Sequence, residues 1–307
     1  MNVSIIIVNY NTKDLLINCI ESIYKQTKDI TFEIIISDNG SNDGSVEYIK
    51  QNFPNIILIE NNKNLGFGAA NNRGLKIAKG KYIFYLNSDT ILLNNAIKFF
   101  YNYWETHDNQ EHIGALGANL LNKNFETIHS YDNFPQLDNE IFTTIKVWLS
   151  ITKHTIQKVL LNKKIPLCVN DDKEPKYIGD VDQIIGADLF LKNNELAYFD
   201  ESFFMYLEET DLQYKIYKKK LKRMIIDGPQ IIHLCGGSST TNRTINKVSY
   251  FTTFSNIQYY ISRIIYFKNR NANIFKIFIL KLITLLIWIN PLIIKHTKKY
   301  IKKLIKT

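Results

Sequence analysis

Four runs of apolar residues alternate with helix-like segments in the first 90 residues of this 307-residue chain. Val3–Val8, Phe32–Ser37, Ile56–Glu60 and Tyr82–Leu86 are rich in β-branched and other apolar residues, which is typical of parallel strands covered on both faces. The order βαβαβαβ predicts an α/β fold with a mostly parallel sheet flanked by helices. In such sheets, ligands bind at the carboxyl ends of the strands.

Positive charge is concentrated at the C-terminal end of the chain. The formal net charge is +9, from 38 Lys and Arg residues against 29 Asp and Glu residues. Residues 250–307 hold 11 of the basic residues and no acidic one, so residues 1–249 carry a net charge of −2. A nucleic-acid partner would need basic residues over the folded body, which this distribution excludes. We therefore expect a catalytic domain over residues 1–249 and a basic, helical tail over residues 250–307.

The tail mixes basic residues with apolar and aromatic ones. Its apolar stretch runs from Ile274 to Ile294, but Lys276 and Lys281 interrupt it and leave 13 charge-free residues, Leu282–Ile294. A spanning helix needs about 20 apolar residues, so helices that lie on an anionic membrane surface fit better than a transmembrane helix. The alternative is that the tail helices pack on the body of the protein or on a second copy, as in a homodimer.

The three cysteines, Cys19, Cys168 and Cys235, are far apart in the chain and include no CxxC motif. They support neither a zinc site nor a disulfide framework, so a reducing cytoplasm is the simplest setting. The first apolar run is too short for a signal peptide, and no basic segment precedes it. Together with the tail, these features predict a cytoplasmic protein that is peripheral on the inner face of the cell membrane.

Asn87, Ser88 and Asp89 come directly after the fourth apolar run, at the edge of the predicted sheet. A carboxylate at that edge can hold a hard divalent cation that bridges two phosphates. The alternative is that Asp89 caps a helix over Ile91–Phe100.

Two further loops carry residues that suit a nucleotide. Residues 62–72 are rich in small and amide side chains, and Gly66 and Gly68 let the backbone approach a ligand at a helix N-terminus. This loop matches neither a Walker loop nor a dinucleotide fingerprint, and its alternative is a helix start with packing glycines. Asp38 follows the second apolar run, where it could accept hydrogen bonds from a base or a ribose. Its alternative is an Asx turn with Gly40.

Carboxylates cluster where Phe203–Leu212 is predicted to open a helix. Glu208, Glu209 and Asp211 lie within one turn, and because like charges repel, one of them should hold a proton more readily. That property suits a general base. The alternative is that these residues only favour the dipole at the helix N-terminus.

His233 follows a later apolar run and precedes the small residues Gly236–Ser239. Its imidazole could ligate a metal or contact a phosphate, and the glycines and serines could cradle an anion. The alternative is a structural histidine at the end of a strand.

The order of these motifs resembles the family 2 glycosyltransferases, in particular the bacterial rhamnosyltransferase-like branch. The resemblance covers about residues 3–240 and rests on the segments Val3–Asn11, Ser37–Ser45, Asn64–Gly74, Leu86–Asp89, Gly186–Ala187, Phe204–Leu212 and His233–Ser238. It implies a GT-A fold, which is Rossmann-like, and an inverting transferase that uses a nucleotide-diphospho-sugar donor. The implied acceptor is a hydroxyl of a lipid-linked glycan in cell-surface polysaccharide synthesis.

The resemblance also implies roles for single residues. Asp89, with His233, would hold Mn²⁺ or Mg²⁺ on the donor diphosphate, and Asn87 stands at the first position of the family's Asp-x-Asp motif. Glu209 occupies the position of the base, with Glu208 as the alternative. The other implied residues are Asp211 in the catalytic cluster and, for the donor, Val8, Asn9, Tyr10, Asp38, Asn64, Gly66, Phe67, Asn71, Asn87, Ser88, Gly186 and Ala187.

Two other classes of protein remain as alternatives. A sugar nucleotidyltransferase would share the sheet and the metal, but it needs a Gly-rich loop with a basic residue after the first strand. Residues 9–13 contain no glycine, which argues against that class. A nucleotide-sugar-binding protein would share the donor site and lack the transfer activity.

Overall fold

The computed structural model describes residues 1–107, 110–161, 174–234, 253–291 and 293–307. The chain forms two compact units: the first contains Met1–Phe134, Asp171–Glu201 and Glu208–Thr241, and the second contains Pro135–Asn170, Ser202–Leu207 and Asn242–Thr307. The predicted boundary between residues 249 and 250 lies outside the described residues, as do Cys168, Cys235 and the loop Gly236–Ser239. The second unit takes in the predicted tail and adds residues from the middle of the chain.

A mixed sheet forms the centre of the first unit. Its strands and those of a small two-stranded sheet are β1 (Val3–Asn9), β2 (Phe32–Asp38), β3 (Ile57–Glu60), β4 (Tyr82–Leu86), β5 (Thr90–Leu92), β6 (Ile113–Leu121), β7 (Tyr131–Asp132), β8 (Gly179–Val181), β9 (Gln183–Ile184), β10 (Asp188–Lys192) and β11 (Lys222–His233). The described strands of the large sheet lie in the order β3-β2-β1-β4-β10-β6-β11-β5, with β8 beside β11. The first four strands are mutually parallel, while β10 runs antiparallel between β4 and β6. The predicted α/β fold is confirmed.

Helices flank this sheet and make up most of the second unit. In the first unit they are α1 (Lys13–Gln26), α2 (Ser45–Asn52), α3 (Phe67–Leu75), α4 (Ala96–Thr106) and α6 (Glu208–Lys218). In the second unit they are α5 (Leu137–Leu161), α7 (Phe254–Lys268), α8 (Ile274–Trp288) and α9 (Ile294–Lys306).

Strand β1 is buried on both of its faces, which explains its unbroken apolar sequence. Ile5 and Ile7 join the core cluster that contains Leu16 of α1, whereas Ile6 joins the cluster that contains Leu212 of α6. Because successive side chains of a strand point to opposite faces, one run of isoleucines supplies both layers of the core.

Strand β5 lies where the sequence predicted the start of a helix over Ile91–Phe100. Leu92 and Ile91 pair antiparallel with Ile231 and Ile232 of β11, and helix α4 begins only at Ala96. The helix-cap alternative for Asp89 is therefore wrong. The reason is a long-range strand pairing that local helix signals do not reveal.

Buried charge joins two helices of the second unit. Arg263 of α7 pairs with Glu140 of α5 at 2.6 Å between Nη1 and Oε2, and its guanidinium lies 4.3 Å from the ring centroid of Tyr260. The surrounding core includes Ile264 and Trp288. Among the residues that the structure describes, none of the helices combines the length and the apolar character needed to cross a membrane.

Candidate active site

The amide of Asn9 joins the ends of β1 and β2. Asn9 is 1% exposed, and its Nδ2 donates to Asp38 Oδ2 at 2.7 Å, to Ser45 Oγ at 2.8 Å and to Ser41 Oγ at 3.0 Å. The Thr12 hydroxyl donates to Asn9 Oδ1 at 2.7 Å. A buried amide with all of these partners fixes the backbone at this edge of the sheet.

Asp38 forms the Asx turn that the sequence offered as one of two alternatives. Its Oδ1 accepts from the backbone N–H groups of Gly40 and Ser41, at 2.9 Å each. The next residue, Asn39, donates to the carbonyl oxygen of Gly66 at 3.1 Å, and Asn64 Oδ1 accepts from the Gly66 N–H at 2.9 Å. The two predicted nucleotide loops therefore meet at the end of β2.

Asn87 brings a third loop to the same sheet edge. Its backbone N–H donates to the carbonyl oxygen of Ala187 at 3.0 Å, which sets the predicted Gly186–Ala187 pair beside the end of β4. Ser88 Oγ lies 3.0 Å from the hydroxyl of Thr12. Hydrogen bonds thus link the segment after β4 to the loop before β10 and to the start of α1.

Asp89 and His233, which the sequence paired as metal ligands, lie side by side. Asp89 Oδ1 is 3.3 Å from His233 Nε2, and both side chains are largely buried. The backbone supports this pairing, since Leu234 N–H donates to the Asp89 carbonyl oxygen at 2.9 Å.

This pair fits a magnesium or manganese ion whose other ligands are substrate phosphates and water. Within the described ranges, no group of three or more His, Cys, Asp and Glu side chains could hold a metal by itself. Mg²⁺ is commonly bound through one or two carboxylates together with substrate phosphates and water. One buried carboxylate with an adjacent imidazole nitrogen agrees with that pattern.

Asp188 is a buried carboxylate that the sequence analysis did not single out. It is fully buried at the start of β10, and its Oδ2 accepts from the Ala118 N–H at 2.7 Å. Burial raises its pKa well above the usual range, against the opposing effects of the Ala118 N–H and the His233 charge. The only sequence signal for it is an acidic residue at the head of an apolar strand.

Helix α6 presents the acidic cluster at its first turn. Glu208 is 3% exposed and lies near Gly68 of α3, where a Cβ atom would come within 3.5 Å of the Glu208 Cβ. Glu209 is half-buried and packs against Gly186, where a Cβ atom would be 3.1 Å from its Cγ. Asp211 Oδ2 is 2.9 Å from Lys215 Nζ one turn along the helix. The two glutamates therefore reach two of the predicted donor loops.

Burial shifts both glutamates toward their protonated forms. The pKa of Glu208 is raised well above its usual range, mainly by burial and further by the charge of Glu209. Burial also raises the pKa of Glu209, against the lowering effect of hydrogen bonds from backbone N–H groups at the helix start. A carboxylate with a raised pKa is suited to accept a proton near neutral pH.

Two strained residues set the start of α6. Tyr206 and Leu207 have φ angles of +70° and +65°, in the left-handed region that non-glycine residues rarely adopt. The helix therefore begins at Glu208, later than the start predicted within Phe203–Leu212. Backbone strain of this kind costs about 1–3 kcal/mol per residue and is concentrated at functional sites.

Two buried amides that the sequence analysis missed hold the helices of the site. Gln213 of α6 accepts from the Ile184 N–H and donates to the Ile184 carbonyl oxygen, both at 2.7 Å. Asn72 of α3 makes the same two bonds with Phe199, both at 2.9 Å. Gln213 has no local sequence signal, whereas Asn72 lies in the amide-rich segment 62–72; the partners of both amides are far away in the chain.

The remaining predicted donor residues differ in exposure. Val8 lies within β1, and Tyr10 is 47% exposed directly after it. Phe67 packs edge-on against Phe199 with 6.0 Å between ring centroids. Asn71 is buried and donates to the Phe67 carbonyl oxygen at 3.2 Å, a bond within α3.

Comparison with known sequences decides the family. The sequence profile described as "Glycosyl transferase family 2" matches residues 4–172, more than half of the chain. The chain belongs to this family. It is 26% identical over 274 residues to the poly(ribitol-phosphate) beta-N-acetylglucosaminyltransferase TarP of Staphylococcus aureus, covering 81% of this chain and 84% of TarP. The rhamnosyltransferase-like branch stays a prediction.

Two further relatives match shorter stretches. The chain is 35% identical over 121 residues to a poly(ribitol-phosphate) beta-glucosyltransferase of Bacillus spizizenii, covering 38% of this chain and 19% of that protein. It is 46% identical over 103 residues to the Escherichia coli UDP-Glc:alpha-D-GlcNAc-diphosphoundecaprenol beta-1,3-glucosyltransferase WfaP, covering 32% of this chain and 40% of WfaP. The match thus spans about a fifth of the Bacillus protein and two fifths of WfaP.

Solved structures agree on the fold. S. aureus TarS 1–349 superposes with a TM-score of 0.50 at 14% identity, covering 99% of this chain and 71% of that chain. GalNAc-T7, crystallised with UDP, GalNAc and Mn²⁺, superposes with a TM-score of 0.52 at 15% identity, covering 76% of this chain and 44% of that chain. The predicted GT-A fold is confirmed by these likenesses.

The buried Glu208 should make the protein less stable as the pH rises. Because its folded-state pKa lies above the unfolded value, the folded state binds more protons, and stability falls between the two pKa values. We expect Glu208→Gln to unfold at a higher temperature than the wild type at neutral pH, and to lose less stability as the pH rises. Thermal unfolding from pH 4 upward measures both effects.

Glu201→Gln is the matched control, for which we expect the opposite change in stability at neutral pH. Hydrogen bonds from Asn72 and Tyr198 lower the pKa of Glu201, so its contribution to stability is present at neutral pH and is lost on acidification. This variant should therefore unfold at a lower temperature at neutral pH. Destabilisation at neutral pH by Glu208→Gln would contradict the assignment of a buried Glu208 whose pKa is raised in the folded state.

Proposed function

We propose that the protein is an inverting glycosyltransferase that moves a sugar from a nucleotide-diphospho-sugar to a hydroxyl of a lipid-linked glycan. The observation that carries this proposal is the contact between half-buried Glu209 and Gly186. Gly186 precedes Ala187, which is hydrogen-bonded to Asn87, two residues before Asp89. A short chain of contacts thus links a carboxylate of raised pKa to the Asp89–His233 pair.

The relatives support the class of donor and acceptor. WfaP uses UDP-Glc and acts on a sugar linked to diphosphoundecaprenol, while TarP acts on poly(ribitol-phosphate). Both acceptors belong to cell-surface polymers or their lipid-linked precursors. We infer the same classes for this chain.

The donor is proposed to lie along the edge formed by the ends of β1, β2 and β4. Asn9 and Asp38 are almost completely buried, so their part is to shape the floor of the nucleoside pocket. Tyr10 is exposed and free to cover a base. The loops at Asn64–Asn71, Asn87–Ser88 and Gly186–Ala187 supply backbone and amide groups for the sugar and the diphosphate.

Asp89 and His233 are proposed to hold Mn²⁺ or Mg²⁺. When bound, the ion supplies positive charge that stabilises the departing diphosphate. The Asp89 carboxylate lies 3.3 Å from the imidazole nitrogen, so one ion can contact both side chains. The fully buried Asp188 is close enough for the charge of His233 to lower its pKa, against the larger effect of burial, but it does not complete a group of three metal ligands within the described residues.

Glu209 is proposed as the general base. Its carboxylate takes the proton of the acceptor hydroxyl while that oxygen attacks the anomeric carbon from the face opposite the nucleotide, and one displacement inverts the configuration. Glu208 is 3% exposed and lies near Gly68, whereas the half-buried Glu209 lies against Gly186 of the predicted donor loop, so Glu209 is the better placed of the two to meet an acceptor hydroxyl. Asp211 is engaged with Lys215 and acts by positioning the cluster.

Glu209→Gln should lower kcat by about 10²–10⁴-fold while donor affinity stays near that of the wild type, because the amide cannot accept the proton. Turnover of UDP-glucose and other nucleotide-sugars on a soluble acceptor measures kcat, and calorimetry measures donor binding. Glu21→Gln is the control, since Glu21 is exposed on α1 and lies outside the acidic cluster. A larger loss in Glu208→Gln than in Glu209→Gln would transfer the role of base to Glu208. Donor binding by the wild type without any transfer would favour a nucleotide-sugar-binding protein.

Asp89→Asn should weaken Mn²⁺ binding in the presence of UDP by more than about tenfold, because an amide is a poorer ligand for a hard cation than a carboxylate. Isothermal titration calorimetry measures this affinity without reference to turnover. Asp43→Asn is the control at the same sheet edge, where the carboxylate accepts from the Lys13 and Ser45 N–H groups. Full activity after exhaustive treatment with EDTA would exclude the metal.

We also propose that residues 250–307 attach the catalytic domain to the inner face of the cell membrane. Helix α8 exposes 67% of Phe275 and 58% of Phe278, while Leu280 and Trp288 of the same helix are buried. Exposed apolar surface of this kind marks an interaction site. The lysines of α9 favour an anionic lipid surface over a second copy of the same positive helix.

The double variant Phe275→Ser, Phe278→Ser should lose most of the wild type's cosedimentation with vesicles that contain anionic phospholipid. Phe142→Ser is the control, because Phe142 is 59% exposed on α5 of the same unit. Two results together would contradict membrane attachment: unchanged cosedimentation of the double variant with the vesicles, and a wild-type dimer in sedimentation velocity that the double variant does not form. The exposed apolar surface of α8 would then contact a second copy of the chain.

A further inference from the structure

A cavity lined by lysines opens beside the ends of α7 and α9 in the second unit. Its volume is about 610 Å³, and no Asp or Glu is among the described residues that line it. We call it the lysine cavity. It is lined by Lys268, Lys299, Lys302, Lys303 and Lys306, together with Ser202, Ile265, Asn269 and Thr307.

The lysines share one face of α9. Lys299, Lys302, Lys303 and Lys306 follow the spacing i, i+3, i+4, i+7, which places them in adjacent turns on the same side of a helix. Like charges at these spacings repel each other and destabilise the helix. The opposite face of α9 carries the buried Leu304. Rotation of the helix to separate the lysines from the cavity would expose Leu304.

The electrostatic effect of the cluster reaches the next helix. Burial lowers the pKa of Lys303, and burial together with the charge of Lys268 lowers the pKa of Lys281 on α8. Lys303 Nζ donates to Gln258 Oε1 at 3.3 Å, Lys281 Nζ donates to the Ile305 carbonyl oxygen at 3.1 Å, and Lys268 Nζ donates to the Thr307 oxygen. The Thr307 oxygen offsets part of the charge of Lys268, whereas no Asp or Glu among the described lining residues faces Lys299, Lys302 or Lys306, so the cavity suits an anion with more than one charge.

The chemistry around the cavity points to phosphate on a lipid. Lysine binds phosphate as a point charge, and several lysines together suit a phosphomonoester or a diphosphate. Lys281 adjoins Leu282 in the exposed apolar surface of α8, to which Phe278 also contributes. Lys281 does not line the cavity, but its Nζ reaches the carbonyl oxygen of Ile305, next to the lining residue Lys306. An apolar surface that can take acyl or prenyl chains therefore begins one residue away from that contact.

We propose that the lysine cavity binds the phosphomonoester or diphosphate headgroup of a membrane lipid. This inference rests on the proposed membrane attachment and adds to it a defined headgroup site. A headgroup held by five lysines would offset their mutual repulsion, whereas a lipid with a single charge would offset it only in part.

The test compares vesicles of equal surface charge, one set made with phosphatidic acid and the other with phosphatidylglycerol in phosphatidylcholine. The full chain should bind the phosphatidic acid vesicles more tightly. The variant Lys302→Gln, Lys306→Gln should bind them more weakly by more than the roughly 30-fold, about fivefold per lysine, that the loss of surface charge alone predicts for either double variant, and it should lose the preference between the two lipids. The matched variant Lys295→Gln, Lys298→Gln removes the same charge from α9 outside the cavity and should keep the preference.

Three results would overturn the proposal. Equal losses in the two double variants would assign binding to the overall charge of α9, and the absence of a lipid preference in the wild type would exclude a headgroup site. Millimolar inorganic phosphate could also displace the chain from phosphatidic acid vesicles as readily as added phosphatidic acid does. That result would make free phosphate the ligand.

A separate assay distinguishes this proposal from the catalytic one. Sugar transfer to a soluble acceptor should be unchanged in Lys302→Gln, Lys306→Gln, because neither residue belongs to the donor or acid cluster. A wild type that shows the lipid preference but transfers no sugar would remove the proposed function and leave the headgroup site standing.

Discussion

The hydrogen bonds of the buried Asn9 amide are the interaction on which the candidate site depends. Strand β1 is buried on both faces and runs through the core, so Asn9 lies at the sheet edge where the strand ends. There its Nδ2 donates to Asp38 Oδ2 at 2.7 Å. From there, side-chain bonds extend to the start of α1 and to the loop that contains Gly66. An apolar residue at this position would leave several buried polar groups without partners at the ends of β1 and β2.

Much of the sheet and of its polar edge could be predicted, because the cause lies in local sequence. Strand β4 has the predicted bounds Tyr82–Leu86, and Asp89 follows it at the sheet edge, as the order of apolar runs and polar ends indicated. The pairing of Asp89 with His233 was implied only by the family resemblance. The acidic cluster was also found from its spacing alone. In each case neighbouring residues determine both the element and the edge at which it ends.

The parts that escaped prediction depend on distant partners. Strand β5 forms because β11 lies beside it, and Asp188 is significant only because folding brings it near His233. Gln213 of α6 makes two hydrogen bonds with the backbone of Ile184. The residues next to Gln213 in the sequence do not predict these bonds. The late start of α6 follows from two left-handed residues, Tyr206 and Leu207, whose side chains would have favoured continuing the helix.

Those two left-handed residues have a further consequence for how such an enzyme can diversify. They set the direction in which the chain enters α6, and the first turn of that helix carries Glu208 and Glu209. If Glu209 is the base proposed above, residues that contact the acceptor can change while this carboxylate stays in place. One scaffold can in this way serve many acceptors without rebuilding its chemistry.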